Sequence, residues 1–191
     1  MSIEETTPVP AERHASLVPT ALIGLAFLAV AIAFVASASS WYVTFMAVHV
    51  LFVVLWVGGG LFLTLFAILA ERADDKAQIS AITKMAAFAG ERIFAPAAVV
   101  VLARGIAMVL NAHLGFGHFW IIFGLLGFAS TFVIGIGVLG PRAKKLEVLL
   151  ADKGSDHPET QAAISQILLI ARFDMAVLAL VIVDMVTKPF S

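Results

Sequence analysis

Apolar residues fall in five long runs, at about 20–38, 43–69, 93–110, 119–139 and 163–186, separated by short polar or small-residue connections. At 1.5 Å per residue each run is long enough to cross about 30 Å of hydrocarbon as a helix. The pattern predicts an all-α integral membrane helical bundle of five transmembrane helices, with residues 1–16 as a polar N-terminal tail and 17–191 as one bundle. The second run contains Met46 to Leu61, MAVHVLFVVLWVGGGL, where a histidine, a tryptophan and a glycine triplet interrupt the apolar residues. His49 and Trp56 are two turns apart, so helical spacing places them on one face with Gly60 a turn further on.

The connections refine this picture. Residues 71–92 carry four basic and four acidic side chains, and Ile79, Ile82, Met85 and Ala89 recur at helical spacing, as in an amphipathic helix at the membrane surface or a solvated connector. Pro96 falls in the first turn of the third run, where proline is tolerated. Gly140-Pro141 reads as the end of the fourth helix, and Asp156 with Pro158 as the start of the fifth. The first run is longer than the core of a secretion signal and follows an acidic segment, so it reads as a retained anchor. The connections after the second and fourth runs hold eight of the twelve Lys and Arg residues, and those after the first and third hold none. By the positive-inside rule the charged connections are cytoplasmic, which predicts the cytoplasmic membrane with the N-terminus in and the C-terminus out; Trp41, Tyr42 and Trp120 flank the other side as an aromatic belt.

Composition narrows the classes of function. With 61% hydrophobic and 13% charged residues, the chain's partner is the lipid bilayer, and a net charge of −1 argues against nucleic acid. The absence of cysteine excludes disulfides, thiolate metal sites, iron–sulfur clusters and cysteine nucleophiles. GIGVLG at 135–140 fits a dinucleotide-binding fingerprint, but it sits in a membrane helix with no βαβ unit around it and is set aside.

Polar residues that remain inside or beside the apolar runs are the candidates for chemistry. His49, His113 and His118 fall toward the uncharged side, and imidazoles from different helices are what a b-type haem needs as axial ligands, with Trp56 either packing against a neighbouring helix or forming a wall of the site; copper or zinc suits them too. Met46, Met108 and Met185 share that half, as core residues or soft ligands. The structural alternative gives His49 a hydrogen bond to a neighbouring helix, because a polar group in hydrocarbon must find a partner. Arg104 and Asp174 each stand eleven residues into their runs, which predicts a buried structural ion pair, or a relay or gate. Asp184 has Lys188 one turn on and His49 as partners.

These residues also resemble known families. His49, six residues, then Trp56-Val57-Gly58-Gly59 resembles the second-helix signature of the copper-resistance D superfamily of bacterial membrane proteins. The same spacing is similar to that of the membrane-bound protoporphyrinogen oxidase of haem synthesis, which implies only His49 as a ligand; no lysine lies within an apolar run here, where that family carries one. From His49 through Arg72, Arg92 to Pro96, Gly105, Trp120, Gly140-Pro141 and Asp184-Met185-Val186-Thr187-Lys188-Pro189, the chain resembles a domain-of-unknown-function family of bacterial integral membrane proteins, a match over about residues 43–189. The expectation is a membrane protein binding haem b for electron transfer or for haem and metal handling. Against it stand a cofactor-free accessory subunit, docked to a second copy or to another membrane protein, and a copper or small-solute transporter.

Overall fold

The computed structural model describes residues 17–190, so the expected tail at 1–16 lies outside the described residues. Among them there is no strand. The elements are α1 (Leu17–Ala36), α2 (Trp41–Arg72), α3 (Ala77–Asn111), α4 (Phe119–Lys153) and α5 (Pro158–Thr187). Four of these, α2 to α5, are long and apolar enough to cross a membrane, and α1 adds a shorter apolar helix. Contacts within the chain divide it into two compact units, one ending at Ser39 and one beginning at Ser40. In the first unit, α1 is apolar around its whole circumference (Leu22-Ile23, Leu25, Phe27-Leu28), as a helix bathed in lipid requires.

In the second unit α2 to α5 run alternately up and down. The α2–α3 turn is fixed by Asp74 in the left-handed region (φ 51°) and by Asp75, whose carboxylate accepts the Gln78 N–H at 2.9 Å and caps α3. Gly154 (φ 76°) and the His157 cap, whose ring nitrogen accepts the Glu159 N–H, turn α4 into α5. These two turns define a basic end. The opposite, aromatic end carries Trp41, Phe119, Trp120 and Phe190, and Phe119 and Phe190 meet edge-on at 5.4 Å.

The helices reach further than the apolar runs at the basic end. Residues 76–92 are the first turns of α3, neither a separate surface helix nor a connector. Gly140-Pro141 does not end α4. A π-helical turn, Ile134–Leu139, precedes it, the Gly140 N–H bonds back to the Gly135 carbonyl, and the helix continues to Lys153. The wider turn shifts the hydrogen-bond ladder by one residue, which lets the proline ring enter as at a fresh helix start. π turns also occur at Val54–Gly58 in α2 and Gly90–Phe94 in α3.

Packing differs along the bundle. In the basic half all four helices converge on Ala70, Ile79, Ile82, Leu146, Ile164 and Leu168. In the aromatic half they pack chiefly as two pairs, α2 with α3 and α4 with α5. Glycines allow that pairing: a Cβ on Gly127 would lie 2.2 Å from Val181 Cγ2, one on Gly124 1.8 Å from Met185 Cε, and one on Gly59 2.7 Å from Phe94 Cε1.

Candidate functional site

His49 lies in the first half of α2, facing α3. Its Nδ1 donates to the Val101 carbonyl at 2.8 Å, and Gly105, one turn along α3, makes room for the ring; a Cβ there would stand 3.3 Å from His49 Cε1. A carbonyl only accepts, so the bond places the proton on Nδ1 and leaves the Nε2 lone pair uncommitted. Trp56 does not share that face. The π turn at Val54–Gly58 inserts a residue between them, and Trp56 meets Phe128 of α4 edge-on at 5.5 Å. It is a packing residue between the two helix pairs.

The structure does not bring the other histidines to His49. His113 is exposed in the α3–α4 connection with φ 52°, and His118 is exposed at the start of α4, its ring 6.4 Å from Trp120. His113 follows Val101 by twelve residues along and beyond α3, about 15 Å of helix away from the carbonyl that holds His49. Among the described residues no three His, Asp or Glu side chains are grouped to hold a metal ion.

The expected Arg104–Asp174 pair is not formed either. Arg104 stands over the Phe45 ring of α2 at 5.4 Å, a cation–π contact. Asp174 is 6% exposed and its Oδ1 has no hydrogen-bond partner. The reason is register. Gly60 of α2 abuts Met175, whereas Phe45 abuts Arg104, so the two charged residues are separated by most of the span. Counting from the ends of the apolar runs misjudged this depth because α5 starts well outside the bilayer. Arg172 reaches back to Glu71 at 3.4 Å instead.

Asp184 is the second buried acid of α5, 6% exposed, with neither carboxylate oxygen hydrogen-bonded. Neither of its expected partners takes it. The Lys188 ammonium sits over the Trp120 ring at 5.0 Å, and His49 is bonded to Val101. Met185 against Gly124, Val181 against Gly127 and Met175 against Gly60 place Asp184 level with Gly124 in α4 and with the neighbourhood of Leu51 and Val101. His49 and Asp184 therefore lie within about one helical turn of the same depth, and Arg104, level with Phe45, stands about one and a half turns nearer the aromatic end. Along α2 that depth is some eight to ten residues in from Trp41, whereas along α5 Asp184 stands one turn before Lys188, which meets Trp120. Sequence reasoning noted His49 and Asp184 but not their common level, because which depths coincide depends on how far each helix slides past its neighbours.

Fold and site together define a helical membrane bundle with unpaired ionisable groups in its interior. The family model described as a predicted integral membrane protein (DUF2269) matches residues 43–189, and the chain belongs to that family. No curated protein and no solved structure matches it.

Proposed function

We propose that the protein is a small membrane carrier that passes a proton or small cation through the aromatic half of its bundle, with Asp184 as the group that takes it up. The observation behind this reading is the Asp184 carboxylate, buried in an apolar helix with no partner for either oxygen. Asp184 lies one turn from the aromatic end of α5, and ionisable residues buried within membrane helices mark ion paths and proton relays. With no hydrogen-bond partner of its own, the carboxylate is a place where a proton or small cation can be held, and exchange of that cation is transport. At the same depth the free Nε2 of His49 is a proton acceptor, and Arg104, held over Phe45 nearer the aromatic end, is a positive charge beside that path. The basic end faces the cytoplasm on this reading, because it gathers eight of the twelve Lys and Arg residues. Purified protein in vesicles holding a pH dye should dissipate an imposed proton or sodium gradient, and Asp184→Asn should return the rate to that of protein-free vesicles. No flux from the wild-type chain, or equal flux from the variant, contradicts the reading.

A second reading rests on His49. Donation of the distal N–H to a backbone carbonyl is the arrangement that orients metal-bound imidazoles, and it supports a haem b or copper held by Nε2 as the only protein imidazole, in keeping with the resemblance to the copper-resistance D superfamily. A reduced-minus-oxidised spectrum with haem bands that vanish in His49→Gln supports it, and a featureless spectrum removes it. A docking role has less support. Gly59, Gly60, Gly105, Gly124 and Gly127 are already covered by side chains of this chain, although Gly58, Gly90 and Gly135 are open.

A further inference from the structure

We infer that the groove between α3 and α4 at the basic end is a binding site for one anionic phospholipid of the adjoining leaflet. The groove has a volume of about 350 Å³ and is lined by Lys84, Phe88, Glu91 and Arg92 of α3 and by Lys144 and Glu147 of α4. Sites for small ligands run from about 300 to 1,000 Å³. The space is there because Ala87 faces it with no more than a methyl group. A second hollow, walled by Leu150 and Ala151, continues from Lys84 and Glu147 toward the ends of the helices.

The groove sits where the helices leave hydrocarbon. Arg92 immediately precedes the apolar run of α3, Lys144 follows that of α4 by five residues, and the ion pair between Lys144 and Glu91 holds the two helices at one level. That is the level of lipid headgroups. Along α3, Lys84, Phe88 and Arg92 recur every fourth residue and line the same groove, so a ring that is 63% exposed stands one turn from a cation on either side. An exposed aromatic at this depth packs on the glycerol and the upper part of the chains. Beyond the π turn, starting one turn from Arg92, Pro96, Val99 and Ala103 share one exposed face of α3. The surface thus changes from charged to apolar in the order in which a phospholipid changes from headgroup to chain.

Charge selects the headgroup. Three cations and two carboxylates line the groove, which leaves one positive charge over. Glu91 is taken by Lys144, and among the described residues neither Arg92 nor Lys84 forms an ion pair. Glu147 shares both hollows with Lys84 and offsets part of its charge, so the surplus lies toward Arg92 and the hydrocarbon. There a guanidinium presents paired N–H donors to two oxygens of a phosphodiester. Basic hollows between membrane helices hold anionic headgroups in this way. Neither His49 nor Asp184 enters this argument, so it stands or falls apart from the proposed function.

The test uses the full chain in detergent micelles, mixed in turn with phosphatidylglycerol and phosphatidylcholine of the same chains, and native mass spectrometry to count the lipid retained. Wild type should retain one phosphatidylglycerol about fivefold more readily than phosphatidylcholine, the factor expected of one basic charge near the membrane surface. Arg92→Gln should bring the ratio close to one. Lys145→Gln removes the same charge beside Lys144 but outside the groove, and should leave the ratio unchanged. Ala87→Leu fills the groove, keeps every charge, and should lower retention. Equal retention of the two lipids by wild type overturns the inference, as does an equal loss in Lys145→Gln and Arg92→Gln. Retention of phosphatidylethanolamine as strong as that of phosphatidylglycerol overturns the anionic assignment. Full displacement of the lipid by excess inorganic phosphate would make the groove a site for a soluble anion and contradict it too.

Discussion

The basic half of the bundle is assembled as a water-soluble protein is, and the aromatic half as a membrane protein is. Below the π turns, α3 and α4 carry Lys84, Lys144 and Lys145 on their outer faces, and the inner faces close on a six-residue aliphatic core. Transfer of those side chains from water drives that half together, worth about 1.5–3 kcal/mol for each large side chain buried. Above the π turns lipid is as apolar as the helices, so that term vanishes and association rests on close contact at glycine. The helices accordingly meet there as two pairs. In that half His49 finds a backbone carbonyl, Arg104 a ring, and Asp184 nothing. The lesson is that the tightly sealed half holds the molecule together, and the loosely joined half is where its unpaired chemistry is kept.

That contrast can be broken from either side. The largest expected effect is in the basic core: Leu168→Ala, 5% exposed, should cost about 2–5 kcal/mol of unfolding free energy, against under about 0.5 kcal/mol for its neighbour Leu169→Ala, 66% exposed. Equal costs, measured by denaturant unfolding in mixed micelles, would dissolve the distinction between inner and outer faces. Next comes the α4–α5 seam. Gly127→Ala should cost about 1–3 kcal/mol, because Val181 cannot withdraw without moving α5. Gly58→Ala, with nothing within 4 Å, should be neutral or stabilise by about 0.5–1 kcal/mol. His49→Gln should cost about 1 kcal/mol, the net worth of the bond across α2 and α3, and His49→Ala somewhat more. Smallest is Arg172→Gln. Its pair with Glu71 is long and solvent-washed, so the same unfolding experiment should show a change of about 0–1 kcal/mol.

Much of the architecture could be read directly from the chain, and the reasons are physical. An unbroken apolar run of membrane length has few alternatives to a spanning helix, and the concentration of Lys and Arg in two connections singles out the basic end. What escaped was rotation and slide. Helices that are apolar all round do not show which face meets which neighbour, so Arg104 and Asp174 looked level when register places them far apart. The π turns were invisible because one inserted apolar residue leaves an apolar run unchanged. They account for two misreadings, Trp56 on the face of His49 and Pro141 as a helix end. The partner of His49 is a peptide carbonyl, which no side-chain pattern encodes. Asp184 was legible as an acid in an apolar run, and its lack of a partner became visible only once Lys188 was seen to turn to Trp120.

The chain contains no cysteine, so single thiols can be placed without background. The most direct measurement of the central claim is the reaction of Asp184→Cys in sealed vesicles with a small, membrane-impermeant cationic thiol reagent, beside the lipid-exposed control Leu180→Cys. If ions reach the carboxylate of α5 through the aromatic half, the thiol at position 184 is modified from the side of that end and the thiol at 180 is not. A position 184 that stays unreactive from both sides, or reacts no faster than 180, would contradict the account.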